Sequence, residues 1–229
     1  MWAAFAAALA LNAAWYFTVR QNDAVVRALP PPPSVNTVRI ASLSEPVAAA
    51  KAVMLWLQAF DNQPGISIPF SRLDYQTLVT WLKTVRELDP RSQYPLLAAS
   101  RIYTAVNDEE KLRTIMDYVF TEFYKDPAAH WPWLAQVAVL AKHRLQDQTL
   151  ALKYARALAD TRRDIDIPAW ARQLELVLLE EQGELETLRV LIGGLLISGK
   201  ITDAQEQRYL ELMLHRMDTS QQQSTNQTK

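Results

Sequence analysis

Residues 142–158 read KHRLQDQTLALKYARAL, and they show most clearly how the chain is organised. The polar pair at positions 146–147 divides this stretch in the way that a short turn divides two helices. After the turn, Leu150, Tyr154 and Leu158 recur at every fourth residue and therefore share one face of a helix. We expect the stretch to contain the turn of a helical hairpin whose second helix has an apolar face.

The same hairpin pattern is predicted at three places along the chain, about 36 residues apart. Each hairpin is expected to open with a large apolar residue followed by proline: Tyr94-Pro95, Trp131-Pro132 and Ile167-Pro168. Each hairpin also has a polar break: Asn107-Asp108, Gln146-Asp147 and Gln182-Gly183. Because a single hairpin cannot bury its own apolar face, the repetition predicts that the hairpins stack on one another.

The composition limits both the fold and the chemistry. Glycine is scarce, with 5 residues in 229, and 49% of the residues are hydrophobic. A sheet protein of this size needs more glycine for its turns, so the composition predicts an all-α fold. The chain contains no Cys, which excludes thiol nucleophiles, disulfides and Cys-ligated metals. The net charge of -1 argues against nucleic-acid binding through phosphate neutralisation.

Capping residues predict the boundaries of further helices. Four helix starts are expected: at Ser44 before Pro46, at Asp74, at Asn107 paired with Glu110 as a capping box, and at Thr202 with Gln205. The first of these helices should run to about residue 60 and the second to about residue 88. The last helix, predicted to run from Asp203 to Met217, would cover the open end of a stack.

Residues 1–20 are predicted to form a transmembrane anchor. No charged side chain precedes Arg20, and a helix of about 19 residues spans roughly 28 Å, close to the ~30 Å hydrocarbon core of a bilayer. Trp2 and Trp15 lie near the two ends, where aromatic rings suit the membrane interface. A cleaved signal peptide is the rival interpretation, but the sequence lacks the basic n-region and the small-residue cleavage site that it requires.

Two properties of the anchor stay open. Ala3, Ala7, Ala10 and Ala14 share one face, so two anchors can be expected to approach closely and form a homodimer, although an alanine-rich segment also gives this pattern by chance. The arginines that follow the span favour a cytoplasmic domain, whereas short N-terminal anchors commonly hold domains on the far side. Both orientations are therefore kept.

A linker and a tail flank the predicted helical domain of residues 44–217. The linker, residues 21–43, contains the run Pro30 to Pro33, which favours a stiff polyproline II stalk. The alternative is that this run is a ligand for a proline-recognition domain. Residues 218–229 are rich in Gln, Ser, Thr and Asn and lack aliphatic side chains, so they are expected to be disordered.

A family resemblance adds to this architecture. The residues Tyr75, Leu78, Trp81-Leu82 and Leu88-Asp89-Pro90, and the run from Leu150 to Leu158, resemble the second helix of tetratricopeptide (TPR) repeats. The resemblance covers about residues 44–203, with Leu78 and Ile115 where the family has a small residue. It implies a TPR-like α-solenoid whose concave surface holds peptides or partner proteins, in an adaptor or assembly factor without catalytic activity.

Three groups of residues are candidates for partner binding. The aromatic side chains at the predicted starts of the repeats are Tyr94, Trp131, Trp133 and Trp170, which would form either a ladder in the core or anchors on the concave side. The second group is Ile66, Ile68 and Phe70, in a long break that either plugs the first hairpin or forms a binding edge. The third is the basic middle repeat.

The basic residues of that repeat include Lys142 and Arg156, with Arg144, Lys153, Arg162 and Arg163 beside them. They would either attract an acidic partner segment or anionic lipid, or remain a solvated face.

Known catalytic and cofactor motifs are missing from the sequence. The segment Gly194 to Thr202 resembles a phosphate loop, but Ile201 stands at the hydroxyl position, so Gly199 is interpreted as a helix stop. The three His residues share no metal-ligand spacing. We therefore expect no enzyme, no cofactor and no bound metal.

The predicted function is that of a membrane-anchored helical-repeat scaffold or adaptor that mediates protein–protein interactions in the assembly of an envelope complex. The alternative is a structural accessory subunit of a membrane enzyme or transport complex that acts mainly through its anchor. The expected location is the cell membrane, specifically a bacterial inner membrane, with a single pass.

Overall fold

A computed structural model of the chain describes residues 7–15, 27–43, 45–63, 66–199, 201 and 203–227. Most of these residues are helical, which confirms the all-α class. The chain divides into two compact units, Met1–Pro95 and Leu96–Lys229. The predicted boundary at residue 44, by contrast, falls inside the first unit, between two of its helices.

The predicted anchor lies mostly outside the described residues. Of residues 1–20, only 7–15 are described, and these are helical with Leu9 and Leu11 exposed. Within the described part of the chain, no helix taken singly has the length and apolar composition needed to cross a membrane. The two helices Val35–Ala41 and Pro46–Ala59 reach that threshold only together, across a bend of 108°.

The first unit is built around a helical hairpin. Its elements, in chain order, are α1 (Val35–Ala41), α2 (Pro46–Ala59), β1 (Asn62–Gln63), β2 (Ile66–Ser67), a 3₁₀ turn (Phe70–Arg72) and α3 (Tyr75–Leu88). Helices α2 and α3 pack on each other, and α1 packs on both. The start and end predicted for α3 are confirmed, because the Asp74 carboxylate accepts the N–H groups of Gln76 and Thr77. Ser44 lies outside the described residues.

The predicted linker folds onto this hairpin instead of standing free of it. Leu29 is buried, and the indole N–H of Trp81 donates to the carbonyl oxygen of Pro30 over 2.7 Å. The interpretation as a free stalk is therefore wrong for residues 27–43, which also contain α1. The stiffness of proline does not prevent this docking, because it is the Leu29 side chain that is removed from water and the Pro30 carbonyl that finds a donor.

The second unit is a succession of helices. The boundary between the units falls within α4 (Tyr94–Leu97), whose helical path continues through a π turn at Ala98–Ile102. The helices that follow are α5 (Glu109–Phe123), α6 (Pro127–Arg144), α7 (Gln148–Ala159), α8 (Ala169–Arg172), α9 (Leu174–Gln182), α10 (Leu185–Ile197) and α11 (Ala204–Gln227). Helix α5 packs on α6, α6 on α7, α7 on α9, α9 on α10 and α10 on α11. Each helix thus packs mainly on helices that are close to it in sequence.

The predicted polar breaks all fall at or between helix ends, with Gln182 as the last residue of α9, but two of the predicted helix starts are wrong. The cap of α5 is Asp108, whose carboxylate accepts the N–H of Lys111, and not Asn107. Helix α6 begins at Pro127 rather than at Trp131, because Asp126 accepts the N–H of Ala129. Pro132 lies inside the helix, in its second turn, where it cannot donate the backbone hydrogen bond that another residue would give to the carbonyl of Ala128.

The last helix extends beyond its predicted end. Asp203 caps α11 through the N–H groups of Gln205 and Glu206, whereas Thr202 lies outside the described residues. The helix continues to Gln227, so the backbone of residues 218–227 is helical and not the disordered tail that was predicted. A polar segment can continue a helix that packing has already nucleated, because elongation costs far less than nucleation.

Candidate functional site

The pair Trp131 and Trp170 is the most prominent aromatic feature of the second unit. Their ring centroids lie 5.3 Å apart and the ring planes meet at 77°, an edge-to-face arrangement. Trp131 lies in the second turn of α6 and is partly buried, whereas Trp170 lies in α8 and is 58% exposed. An edge-to-face pair contributes about 0.5–1.5 kcal/mol beyond the burial of its area, so each ring restrains the other. The exposed ring therefore has a defined position.

Arg172 fixes the segment that carries Trp170. Its buried guanidinium donates to the carbonyl oxygens of four residues in the loop that precedes α8, namely Thr161, Arg162, Ile165 and Ile167. Burial lowers the pKa of Arg172, the charge of Arg163 lowers it further, and Glu206 acts in the opposite direction. An arginine nevertheless stays charged in proteins, and charge-assisted hydrogen bonds are the strong ones. The loop and the start of α8 are therefore held together by one side chain.

The other predicted aromatic residues do not join this pair. Trp133 is partly buried and stands two positions after Trp131, so the two side chains point to opposite sides of α6. Tyr94 belongs to the first unit, at the start of α4, where its hydroxyl accepts a hydrogen bond from Gln58. The structure thus brings Trp131 and Trp170 together. A ladder that includes Tyr94 stays a prediction.

The long break after α2 folds back on the first unit. Residues 62–63 and 66–67 form a short antiparallel pair, and the N–H of Ile68 donates to the carbonyl oxygen of Asp61 over 2.7 Å. The Ile68 side chain is buried and Phe70 is partly buried, whereas the description of Ile66 covers its backbone alone. Ile68 therefore offers no exposed surface to a partner, and its placement agrees with the interpretation that the break plugs the hairpin.

The basic residues of the middle repeat are paired within the chain. Lys142 forms a salt bridge with Glu181, and the Arg156 Nε lies 2.8 Å from the Glu175 carboxylate; both acidic residues are on α9. The remaining four also have partners: Arg144 donates to the carbonyls of Thr104 and Val106, Lys153 approaches Asp117, Arg162 pairs with Asp164, and Arg163 pairs with Glu206. These contacts neutralise the surface, which weakens the case for an acidic partner segment.

The partners of Lys142 and Arg156 carry no local signal in the sequence. Glu175 and Glu181 stand in the next hairpin, on α9, and only the packing of the helices brings them to Arg156 and Lys142. Arg172 was missed for the same reason, because its four acceptors are backbone carbonyls that no motif reveals. The one sequence feature that indicates such salt bridges is a group of basic residues in one predicted helix together with a group of acidic residues in a neighbouring predicted helix.

Over the described ranges of the chain, no three His, Cys, Asp or Glu side chains come together as metal ligands. The sequence matches no protein-family model, no curated protein and no solved structure. The functional assignment therefore depends on the geometry of the chain itself.

Proposed function

We propose that this protein is a membrane-anchored helical-repeat adaptor that binds a protein or peptide partner at the Trp131–Trp170 pair and serves the assembly of an envelope complex. The observation that carries the proposal is the exposed Trp170 ring, which is held edge-on against Trp131. A rigid, exposed tryptophan offers a partner a large contact area at a small cost in conformational entropy. The proposed role is binding, and it needs no catalytic group and no cofactor.

The order of helix packing supports a TPR-like repeat architecture within the second unit. From α5 to α11 the helices pack on neighbours in sequence, as expected when hairpins stack in a row. Trp131 lies on the first helix of the second predicted hairpin, and Trp170 lies on the first helix of the third. Their contact therefore joins two of the predicted hairpins. A partner that binds there would contact two repeats at once.

Membrane attachment is the second part of the proposal. We assign it to residues 1–20, as a single pass through the cell membrane, expected to be a bacterial inner membrane. Support comes from the uncharged sequence before Arg20 and from the exposed Leu9 and Leu11 on the helical residues 7–15. Apolar side chains on an isolated helix gain free energy when they enter lipid or contact another apolar helix.

Site-specific photo-crosslinking in intact membranes tests the adaptor role. A photoreactive phenylalanine derivative replaces Trp170 in the full chain, and the same derivative at Tyr124, another exposed aromatic residue of the second unit, is the matched control. We expect a discrete crosslinked partner from position 170 but not from position 124. Trp131→Ala in the same chain should reduce the yield several-fold, since the ring at position 170 then loses its restraint. Identical products from both positions, or none from position 170, would contradict the proposal.

A second candidate function rests on the exposed side chains of residues 7–15. Leu9 and Leu11 could instead contact another membrane protein, in which case the chain is an accessory subunit that acts mainly through its anchor. Exchange of residues 1–20 for an unrelated membrane span separates the two roles. Function that survives the exchange favours the adaptor, and function that is lost while the protein stays in the membrane favours the accessory subunit.

A further inference from the structure

The first unit contains an aromatic groove that no part of the proposed function uses. Trp56 of α2 and Trp81 of α3 pack with ring centroids 5.0 Å apart and planes tilted by 57°. They form one wall of a cavity of about 450 Å³ whose other lining residues are Pro30, Pro31, Pro33, Ala52 and Val53. Apart from the two indole N–H groups, every side chain in the lining is apolar. The proline run lines one side of this open cavity without filling it, since Pro30, Pro31 and Pro33 are themselves exposed.

One directional hydrogen bond crosses this contact. The Trp81 indole N–H donates to the carbonyl oxygen of Pro30 over 2.7 Å. Proline has no backbone N–H, so a run of prolines presents only carbonyl acceptors, and an indole presents only a donor. Each proline also forces the residue before it into an extended conformation, which keeps the run from Pro30 to Pro33 close to polyproline II. Aromatic grooves that recognise proline-rich peptides use this combination of ring contacts and a donor.

The segment is fastened on both sides of the proline run. Before it, Arg27 and Gln63 exchange two hydrogen bonds: the Arg27 N–H donates to Oε1 over 2.8 Å, and Nε2 donates to the Arg27 carbonyl over 2.9 Å. After it, Ser34 caps α1, and the Arg39 guanidinium donates to the carbonyl of Glu87 at the end of α3 over 3.1 Å. The chain's own segment is therefore held against the groove by contacts at several points.

We propose that the Trp56–Trp81 groove is a polyproline-recognition site that the Pro30–Pro33 segment of the same chain occupies, and that this contact is a reversible intramolecular latch. The latch ties the stretch leading towards residues 1–20 to the hairpin of α2 and α3. Because proline already restricts the unfolded segment, docking costs little conformational entropy. In this proposal the proline run is the ligand of a site within its own chain, whereas the alternative drawn from the sequence was a ligand for a proline-recognition domain.

Limited proteolysis of the full chain measures how often the latch opens. Trypsin can cut after Arg27 only when the surrounding residues leave the surface, so the cleavage rate at this bond follows the undocked fraction. Trp81→Phe keeps a ring in the groove and removes the donor to Pro30, and we expect roughly fivefold faster cleavage, the usual effect of one neutral hydrogen bond. Tyr124→Phe, at an exposed aromatic residue of the second unit, is the control and should leave the rate unchanged. Equal rates for Trp81→Phe and the unmodified chain would overturn the latch.

The dependence of this rate on protein concentration identifies the occupant. An intramolecular latch opens at a rate that does not change on dilution. Cleavage that accelerates on dilution would mean that the segment comes from a second copy, and it would overturn the intramolecular proposal.

A second variant keeps the groove side chains and weakens the docking of the segment. Pro30→Gly, Pro31→Ser, Pro32→Gly and Pro33→Ser are combined in the full chain, and a synthetic peptide of residues 27–34 is then added. The readout is the indole N–H resonance of Trp81, assigned by its loss in Trp81→Phe. We expect a saturable shift of this resonance in the four-residue variant, and at least a tenfold weaker response in the unmodified chain, where the docked segment already takes the Trp81 donor. A peptide in which alanines replace the prolines should not shift it. The proposal fails if the resonance is unaffected, or if both peptides shift it equally.

Discussion

The carboxylate of Asp147 joins two helices of the second unit. Its Oδ1 accepts the N–H of Leu150 over 2.8 Å and so caps α7, while its Oδ2 lies 2.8 Å from Nη1 of Arg113 on α5. Asp147, which caps α7, therefore also fixes the break between α6 and α7 to α5 of the preceding hairpin. Both interactions require the ionised carboxylate or an equivalent acceptor.

Substitutions at Asp147 should separate the cap from the ion pair. Asp147→Ala removes both, and we expect it to lower the free energy of unfolding by about 1–2 kcal/mol. Asp147→Asn keeps a capping oxygen and loses the charge, so it should cost less than about 1 kcal/mol, as a partly exposed ion pair does. Urea unfolding followed by circular dichroism measures both values. If Asn proves as destabilising as Ala, the ion pair and not the cap dominates.

The same carboxylate predicts a pH dependence. The N–H of Leu150, and then Arg113, lower the pKa of Asp147 below its ordinary value of 3.8. A folded-state pKa below the unfolded one means that the contribution to stability is fully present above about pH 3.8 and is lost as the pH falls through the folded-state value. The stability difference between the unmodified chain and Asp147→Asn should therefore shrink as the pH falls below that value. A difference that stays constant down to pH 2 would contradict the assignment.

The helix caps and the breaks between helices were predictable, because they depend on residues that are close together in the sequence. The break before α7 and the ends of α3 follow from Asp, Pro and Gln residues within one helical turn. The start of α6 was misplaced because Pro127 and Pro132 both suit a first turn, and only the hydrogen bond from Ala129 to Asp126 favours the earlier one. The sequence alone does not show which of these two prolines lies in the first turn of the helix.

Contacts between distant residues were not predictable. Pro30 and Trp81 are bonded across much of the first unit, and Arg156 reaches Glu175 in the next hairpin. Neither contact produces a repeating pattern in the sequence, because each involves only one donor and one acceptor. The packing of the helices alone brings these two groups together. The proline run was therefore interpreted from its own stiffness, without the tryptophans that bind it.

Arg172 donates its hydrogen bonds to the loop before α8, and we expect these contacts to determine how well Trp170 is ordered. Arg172→Lys keeps the charge but cannot reach four carbonyls with one ammonium group, so we expect a loss of about 2–4 kcal/mol of stability. Arg162→Lys changes an exposed arginine of the same loop and is the control, with an expected effect below about 0.5 kcal/mol. Thermal unfolding gives the stability, and quenching of tryptophan fluorescence reports on the order of Trp170. Equal effects of the two substitutions would show that the guanidinium contacts do not fix the loop.

Two glycines of the second unit should respond to alanine in opposite directions. Gly183 ends α9 with φ at +75°, a conformation that costs an L-residue about 1 kcal/mol, so Gly183→Ala should destabilise by roughly that amount. Gly193 lies inside α10, where an added Cβ meets nothing within 4 Å, so Gly193→Ala should stabilise by about 0.5–1 kcal/mol. Urea unfolding of the two variants measures the difference, and effects of the same sign would contradict the backbone assignment of one of them.

Helix α11 should act as a packed cover for α9 and α10 through one face only. Leu210 is fully buried in a cluster with Leu188, Ile192 and Met213, whereas Leu212, two residues later, is 65% exposed. Leu210→Ala should therefore lower the free energy of unfolding by about 2–4 kcal/mol, through lost transfer free energy and an unfilled cavity. Leu212→Ala deletes the same atoms from the opposite face and should change it by less than about 0.5 kcal/mol. Urea unfolding followed by circular dichroism provides the comparison, and hydrogen exchange of α10 in the Leu210→Ala chain should accelerate if α11 protects it. Equal costs for the two substitutions would mean that α11 does not pack on the second unit through the Leu210 face.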